Sequence, residues 1–221
     1  MVLLGAPTDC SRCTRLCLSR KMVVQGAGPL PADILVVAQA PGRLEEIHGY
    51  PLYEKAWSGS RLRYKLMPLA GIDPEQVRYE NIVRCRPPRH KGGDDPPTAG
   101  EIKKCAPFLL EVITEAFNGV SDPCIITLGI PAWKWFNTEY ALSTSHGFRM
   151  TWTHPDTNDS IMIVPMYHPA AATPNRTPAL AKVMISDWKY LGEVLAGRGE
   201  ESKAEFLADR LNTKWVREGP V

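Results

Sequence analysis

The sequence lacks the long apolar runs of a membrane protein and the charge excess typical of proteins that coat nucleic acids. Its longest apolar runs, such as Ile34–Ala38, fall far short of the roughly 20 residues needed to cross a bilayer. The 26 Lys and Arg residues nearly balance the 24 Asp and Glu residues, so the net charge of +2 does not by itself indicate a nucleic-acid or membrane partner. Its first residues have neither a basic leader nor a long apolar core, so we expect no secretory signal and a cytoplasmic protein.

Aromatic residues are scarce, at 8%, and no internal repeat occurs. Apolar residues make up 44% of the chain and charged residues 23%, the proportions of an ordinary compact domain, which excludes a disordered chain. Turn-forming residues are abundant, with 17 glycines and 20 prolines. They predict long ordered loops between short elements, and loops are where binding and catalytic residues concentrate.

Apolar runs and helix signals alternate along the chain. Strands are predicted at 33–38, 78–84, 124–128, 147–152 and 161–164. Helices are predicted from the cap residue Ser58 to Ala70, from the capping box at Thr98 to Phe117, at 131–136 and at 178–195, with a loop at 39–57. This order favours an α/β fold, a three-layer α/β/α sandwich with a central, mostly parallel four-stranded sheet. We expect it to occupy residues 1–197, followed by a charged C-terminal helix or tail at 198–221.

Six cysteines in a chain expected to be cytoplasmic are more often free, catalytic or metal-bound than paired in disulfides. Cys10 and Cys13 have the C-x2-C spacing with which two thiolates reach one metal centre. Cys85 and Cys105, each beside Arg or Lys, could complete a set of four ligands. The spacing equally allows four unrelated buried thiols, and it does not separate zinc from iron–sulfur.

Three polar loops follow predicted strands, at the sheet edge where α/β proteins bind ligands. The first, after 33–38, contains Pro41 and Gly42, a tight turn whose backbone N–H groups suit an oxyanion. The second carries Asn81 and an arginine cluster, and the third carries His168. The sequence therefore predicts an amide, a histidine and arginines at one edge of the sheet.

Five sequence motifs follow one another along the chain. They are the C-x2-C pair at Cys10, then Ala38-Gln39-Ala40-Pro41-Gly42, Asn81-Ile-Val-Arg-Cys-Arg-Pro-Pro88, Glu101-Ile-Lys-Lys-Cys105 and Tyr167-His168-Pro169-Ala170. In this order they resemble the iron–sulfur uracil-DNA glycosylases called family 4, from about Cys10 to Leu195. The resemblance implies the uracil-DNA glycosylase fold and a monofunctional DNA glycosylase. Such an enzyme flips uracil out of DNA and hydrolyses its N-glycosidic bond, leaving an abasic site for base excision repair.

The resemblance also implies a cofactor. It assigns a structural [4Fe–4S] cluster to Cys10, Cys13, Cys85 and Cys105, which would fasten the N-terminal segment to the basic loop. Cys17 and Cys124 have no counterpart in that ligand pattern and are interpreted as packing residues.

The resemblance further implies roles around the base. His168 would donate a hydrogen bond to uracil O2, where negative charge develops as the glycosidic bond breaks. Asn81 would pair with uracil N3–H and O4. Glu45 would position or activate the attacking water. The loop of Ala38, Gln39 and Gly42 would bind the base through its main chain, and Gln39 would help to stabilise the leaving group.

The sequence departs from the family pattern at several positions. Gln39 stands where the family has Glu, which removes a negative charge. Leu52 replaces a phenylalanine that stacks on the flipped base, so Tyr53 is expected to supply the ring. A longer segment at 89–95 precedes Cys105. These departures make altered base preference or weak activity credible.

DNA contacts must be local because the chain is nearly neutral. We expect a monomer that binds uracil-containing DNA, single- or double-stranded, and not a membrane, in the cytoplasm and associated with the nucleoid. Two alternatives stay open: a glycosylase for another deaminated base, and a non-catalytic iron–sulfur DNA-binding module. The side chains predicted to contact DNA are Ser58, Arg84, Arg86, Arg89 and Arg176.

Overall fold

A five-stranded sheet forms the centre of the computed structural model, which describes residues 5–90 and 92–197. Its strands are β1 (Ile34–Ala38), β2 (Val77–Asn81), β5 (Cys124–Leu128), β6 (Met150–Thr153) and β7 (Ser160–Met166), in the order β2-β1-β5-β7-β6. The first four in that order are parallel, and β6 is antiparallel to β7. The α/β fold class is confirmed, but the expected number of four strands is wrong. The sheet gains a fifth strand because the chain turns back between Thr153 and Ser160 and pairs β6 with β7 at the sheet edge.

Helices cover both faces of this sheet. They are α1 (Thr14–Ser19), α2 (Arg43–His48), α3 (Trp57–Arg61), α4 (Ala99–Ala116), α5 (Ile130–Phe136), α6 (Leu142–Ser145) and α7 (Pro178–Leu195). Short 3-10 turns lie at Pro74–Gln76 and Pro169–Ala171, and a small hairpin joins β3 (Arg89–His90) to β4 (Gly93–Asp94). No helix within the described residues is long and apolar enough to cross a membrane.

Alternate residues of β1 point to two separate cores, which gives the three layers. Val36 packs with Leu62, Leu66 and the α7 side chain Trp188 on one face. Leu35 and Val37 pack on the other face with α4 and α5. A strand that is buried on both faces has a nearly continuous apolar sequence, which is why β1 and β5 could be predicted from the sequence.

Several predicted boundaries are corrected. The region 39–57 contains α2, which the sequence presented as loop. Ser58 does not cap the next helix, because Ala56 is its N-cap; the segment continues as a π-helix (Leu62–Leu66) and a 3-10 turn (Met67–Ala70). The strand predicted at 78–84 ends at Asn81. The tail predicted at 198–221 lies outside the described residues.

The capping box that opens α4 is confirmed. Thr98 Oγ1 accepts the Glu101 N–H at 3.3 Å, and Glu101 Oε2 accepts the Thr98 N–H at 2.8 Å. The Glu101 carboxylate also accepts two hydrogen bonds from Arg15, at 2.9 and 2.7 Å. The helix that carries Cys105 is therefore tied at its start to the N-terminal segment that carries Cys10 and Cys13.

Candidate active site and cysteine cavity

A cleft of about 690 Å³ lies at the carboxyl ends of the parallel strands. Ala38 and Gln39 line it from the end of β1, Leu128 and Gly129 from the end of β5, and His168 follows β7. The start of α3 closes a further side. Parallel α/β sheets bind ligands at this edge. A larger cavity, of about 1200 Å³, lies at the opposite ends of β1 and β5, beside Ile34 and Cys124, away from all five sequence motifs.

His168 stands in the cleft as a neutral imidazole. Its Nδ1 accepts the N–H of Ala170 at 3.1 Å, within the 3-10 turn that follows it. Burial lowers the pKa of His168 to about 4, because the surrounding protein disfavours the charged ring. With Nδ1 used as an acceptor, the ring proton lies on Nε2. The local fold therefore fixes the tautomer that donates a hydrogen bond through Nε2–H.

Asn81 ends β2 beside Ala38, its register partner on β1. The side chain is only 2% exposed, and both its Nδ2 and its Oδ1 lack a hydrogen-bond partner within the protein. Leaving a buried polar group unpaired costs about 1–3 kcal/mol, so native proteins rarely do so without a reason. The amide is an unused donor and acceptor at the carboxyl end of β2, but Asn81 is not among the residues that line the cleft; its neighbour Ala38 is.

Glu45 holds the two ends of the α2 region together. One carboxylate oxygen accepts the N–H of Gly42, the N-cap of α2, and the other accepts the N–H of Leu52 at 2.6 Å. Burial raises the pKa of Glu45 in spite of these two hydrogen bonds. The Gly42 N–H, predicted to belong to an oxyanion nest, is thus already engaged by this carboxylate.

Of the two residues expected to contact the base here, Leu52 lines the cleft and Tyr53 does not. Leu52 lines the cleft and is held in the left-handed region, at φ 51°. Tyr53 is buried outside the cleft lining, and its ring stacks on His48 at 4.0 Å between centroids. The structure therefore does not bring the Tyr53 ring into the cleft, where it was expected to stack on the base, because the ring packs on His48 outside the cleft lining.

Four cysteines from three separate segments surround one small cavity of about 20 Å³: Cys10, Cys13, Cys85 and Cys105. Arg20 Nη1 donates to Cys85 Sγ at 3.2 Å, and Arg12, Arg84 and Lys104 also line the cavity. Burial raises the pKa of Cys85 to about 11. No group of three or more His, Cys, Asp or Glu side chains in the described ranges is arranged to hold a metal ion. The four thiols instead converge around a shared space walled by cations.

The other two cysteines lie apart from this cavity. The Cys17 thiol donates to the carbonyl of Cys10 at 3.5 Å, and Cys124 is fully buried in the core on the opposite face of the sheet.

Known proteins resemble this chain over most of its length. The profile of the family described as "Uracil DNA glycosylase superfamily" matches residues 25–192. A type-4 uracil-DNA glycosylase of Sulfurisphaera tokodaii is 30% identical over 94% of this chain and 89% of its own. Those of Saccharolobus solfataricus and Thermotoga maritima are 31% and 29% identical, over 86% and 80% of this chain and 83% and 85% of theirs. The chain belongs to the uracil DNA glycosylase superfamily.

Two of the arginines predicted to contact DNA in this superfamily member are paired with carboxylates of the protein, and one of them, Arg84, is fully buried. Arg84 is 1% exposed and pairs with Glu80, Nη2 to Oε2, at 2.8 Å. Arg86 makes a bidentate pair with Asp94 at 2.8 and 2.6 Å. The prediction of Arg84 as a DNA contact is wrong because its guanidinium neutralises a buried carboxylate. Arg86 is largely committed to the hairpin that follows it.

The remaining residues predicted to contact DNA are accessible. Ser58 lines the cleft, and Arg89 and Arg176 are exposed. Arg89 donates to the carbonyl of Gly92 at 3.0 Å within the small hairpin. The segment 89–95 thus folds as a hairpin whose acidic residues neutralise neighbouring arginines, because Asp95 pairs with Arg15 at 3.3 Å.

Sequence reasoning missed most of the apolar side chains that line the cleft of this superfamily member, including three large ones. Tyr167 directly precedes His168, Ile130 follows the glycine after β5, and Trp57 begins α3. Tyr167 belongs to the last of the five motifs, and this position could have indicated it. Trp57 and Ile130 carry no such signal, because an apolar residue at a helix start is more often part of the core.

A buried pair, His146 and Asp187, lies behind Tyr167, which lines the cleft. His146 Nδ1 lies 2.6 Å from Asp187 Oδ2, and both residues are at most 4% exposed. The His146 ring lies 4.6 Å from the ring of Tyr167. Gly147 lies against this pair, and a side chain there would clash, because a Cβ at that position would come within 2.6 Å of Asp187 Oδ1.

Proposed function

We propose that the chain is a monofunctional uracil-DNA glycosylase that hydrolyses the N-glycosidic bond of deoxyuridine and leaves an abasic site for base excision repair. The observation that carries the proposal is a cleft at the carboxyl ends of the parallel strands that is lined by a neutral His168, with the buried, unpartnered amide of Asn81 at the end of the neighbouring strand. Relatives named type-4 uracil-DNA glycosylase support it over most of their length.

His168 would act on the leaving group. As the glycosidic bond breaks, the sugar becomes cationic and the uracil ring becomes an anion with charge on O2. A neutral Nε2–H donor, fixed because Nδ1 accepts the Ala170 N–H, would stabilise that charge. The donor needs no reorientation as charge develops.

Asn81 would read the edge of the base. Its amide oxygen accepts from uracil N3–H and its amide N–H donates to uracil O4, which satisfies both atoms that the protein leaves without partners. Cytosine presents an acceptor and a donor at the same two positions, so an amide held in one orientation discriminates between them. The backbone at Ala38 and Gln39 would lie along the same base.

Glu45 would serve hydrolysis mainly by shaping the cleft. Its carboxylate holds Gly42 and Leu52 by their N–H groups, so it fixes both the turn beside the base and the residue that stands where relatives stack a ring. Its predicted role in activating water rests on the resemblance alone.

The four cysteines around the small cavity would hold a [4Fe–4S] cluster: Cys10, Cys13, Cys85 and Cys105. The convergence of four thiols from three segments, walled by Arg and Lys, fits a group that takes one thiolate at each of four irons. When bound, such a cluster supplies a crosslink between the N-terminal segment, the loop after β2 and α4. The neighbouring Arg and Lys side chains would favour the thiolates that the cluster needs, and they oppose the burial that raises the pKa of Cys85.

The DNA strand would approach the cleft past Ser58, Arg89 and Arg176. We propose that the partner is uracil-containing DNA bound by a monomer, which would act at the nucleoid.

The test is single-turnover release of base from otherwise identical oligonucleotides that carry uracil, hypoxanthine or xanthine. The wild type should release uracil fastest. The variant Asn81→Ala should lose roughly tenfold to a hundredfold in that rate, the equivalent of 1–3 kcal/mol for a buried base contact. Wild-type turnover that is faster on hypoxanthine or xanthine would point to another deaminated base. Tight binding with no release of any base would point to a non-catalytic module, and either result overturns the proposal.

A further inference from the structure

The mouth of the cleft carries large apolar side chains that the proposed chemistry does not use. Leu44, Trp57 and Ile130 all line the cleft, yet they are 41%, 52% and 55% exposed. They come from three different segments: α2, the start of α3 and the start of α5. Single exposed apolar residues are ordinary, but a cluster at the rim of a site marks an interaction surface.

Trp57 is braced from within the protein. The Arg61 guanidinium lies 5.4 Å from the centroid of the Trp57 ring, and Arg61 Nη1 donates to the carbonyl of Pro169 at 2.9 Å. Pro169 directly follows His168. The indole is therefore linked, through one cation, to the turn that fixes the proposed leaving-group donor.

The helix that Trp57 begins packs closely on the segment that contains Leu52 and Tyr53. Gly59 packs so closely that a Cβ there would come within 2.1 Å of the Tyr53 carbonyl and 2.4 Å of the Leu52 carbonyl. Trp57 thus starts a helix pressed directly onto the segment that lines the cleft. A rigid, exposed aromatic face at the rim of a base-binding cleft has the form of a stacking platform.

We propose that Trp57 binds a second nucleobase, the neighbour of the flipped uracil, and that the preferred substrate is therefore single-stranded uracil-containing DNA. The inference rests on the proposed function. In a single strand the neighbouring base is free to leave its stack and lie on the indole, whereas in a duplex it stays paired and stacked. The surface is continuous with the proposed base site, so the occupant belongs to the same strand.

The charges around the site agree with this substrate. Of the four arginines predicted to make phosphate contacts, two are tied to carboxylates, Arg84 to Glu80 and Arg86 to Asp94, which leaves Arg89 and Arg176 for the DNA backbone. Proteins that bind single strands combine basic contacts to the backbone with aromatic side chains on which bases stack, so Trp57 would add stacking affinity to the contacts of the remaining arginines.

The experiment compares wild type, Trp57→Ala and Trp57→Phe on one uracil oligonucleotide, single-stranded and annealed to its complement. Trp57→Ala should lose about tenfold to a hundredfold in single-turnover efficiency on the single strand and much less on the duplex, and Trp57→Phe should recover most of the loss. Tyr64→Ala is the matched control, because Tyr64 is 58% exposed on the same helical segment and does not line the cleft.

A second readout is independent of turnover. 2-Aminopurine placed beside a non-cleavable, 2′-fluorinated uracil nucleotide should be quenched by wild type and by Trp57→Phe, and not by Trp57→Ala. Unchanged efficiency and unchanged quenching in Trp57→Ala would overturn the stacking site, and a wild type that is faster on duplex would overturn the substrate preference. A wild type that quenches 2-aminopurine but releases no uracil would refute the proposed function and leave the stacking site standing.

Discussion

Replacing Arg84 by methionine separates the structural role observed here from the DNA contact predicted by the sequence. Arg84 is 1% exposed, and its partner Glu80 is fully buried on β2. Removing one partner of a buried ion pair costs about 3–5 kcal/mol, because a charge is left uncompensated in the interior. Arg78 still holds the other oxygen of Glu80, at 2.8 and 3.0 Å, so the lower end of that range applies.

The expected loss for Arg84→Met is therefore about 3 kcal/mol, which for a domain of this size corresponds to a fall in Tm of roughly 6–12 °C. Thermal unfolding followed by circular dichroism measures it. The salt dependence of DNA binding by the folded variant should match that of wild type.

Arg89→Met is the matched control, because Arg89 is exposed and carries no ion pair among the described contacts. We expect an unchanged Tm, and a slope of log K against log salt that falls by about 0.7–0.9, the value for one phosphate contact. A stable Arg84→Met with a reduced salt slope would refute the buried-pair account and restore Arg84 as a DNA contact.

Three further predictions concern His168, Gly59 and Cys85. Nitrogen NMR of the His168 ring should show the neutral Nε2–H form at pH 6 and a titration midpoint near pH 4. That folded-state pKa lies below the unfolded pKa of about 6.5, so the contribution of His168 to the free energy of unfolding is lost as pH falls from 6.5 towards 4. A titration midpoint near pH 6.5 would contradict the buried, neutral state of the His168 ring. Gly59→Ala should lower Tm by several degrees, since its Cβ would lie 2.1 Å from a backbone oxygen; an unchanged Tm would show that the helix shifts freely. Cys85→Ser should abolish visible absorption of the anaerobically purified protein, and Cys17→Ser should retain it; retained absorption in the first variant would remove Cys85 from the ligands.

The parts of the fold that the sequence predicts are those with strong local signals. The run 124–128 is apolar except for Thr127 because β5 is buried on both faces, and its predicted and observed bounds agree. Thr98 and Glu101 form their capping box from four consecutive residues. Helix α2 has no such signal: Gly42 is its N-cap, and the carboxylate that closes the turn also reaches Leu52, a contact that becomes visible only in the folded chain.

In the candidate site, too, the features with sequence motifs could be predicted and those made only by folding could not. Motif order predicts which residues meet, and four cysteines distant in sequence do share a cavity. The sequence does not reveal which cation of an arginine-rich loop turns inward, because Arg84 and Arg86 differ only in the carboxylates that tertiary folding brings to them. Nor does it reveal that the Tyr53 ring stacks on His48, or that Trp57 reaches the rim.

The most direct test of the central claim compares uracil release and DNA affinity in wild type and His168→Ala, with the visible absorption of both proteins recorded first. The account predicts that wild type releases uracil in a single turnover. It predicts that His168→Ala releases it roughly a hundredfold to a thousandfold more slowly, the usual cost of losing one donor to a developing oxyanion. Equal absorption and equal DNA affinity of the two proteins would show that fold and binding are intact. Equal rates of uracil release in the two proteins would contradict the claim that His168 stabilises the leaving base.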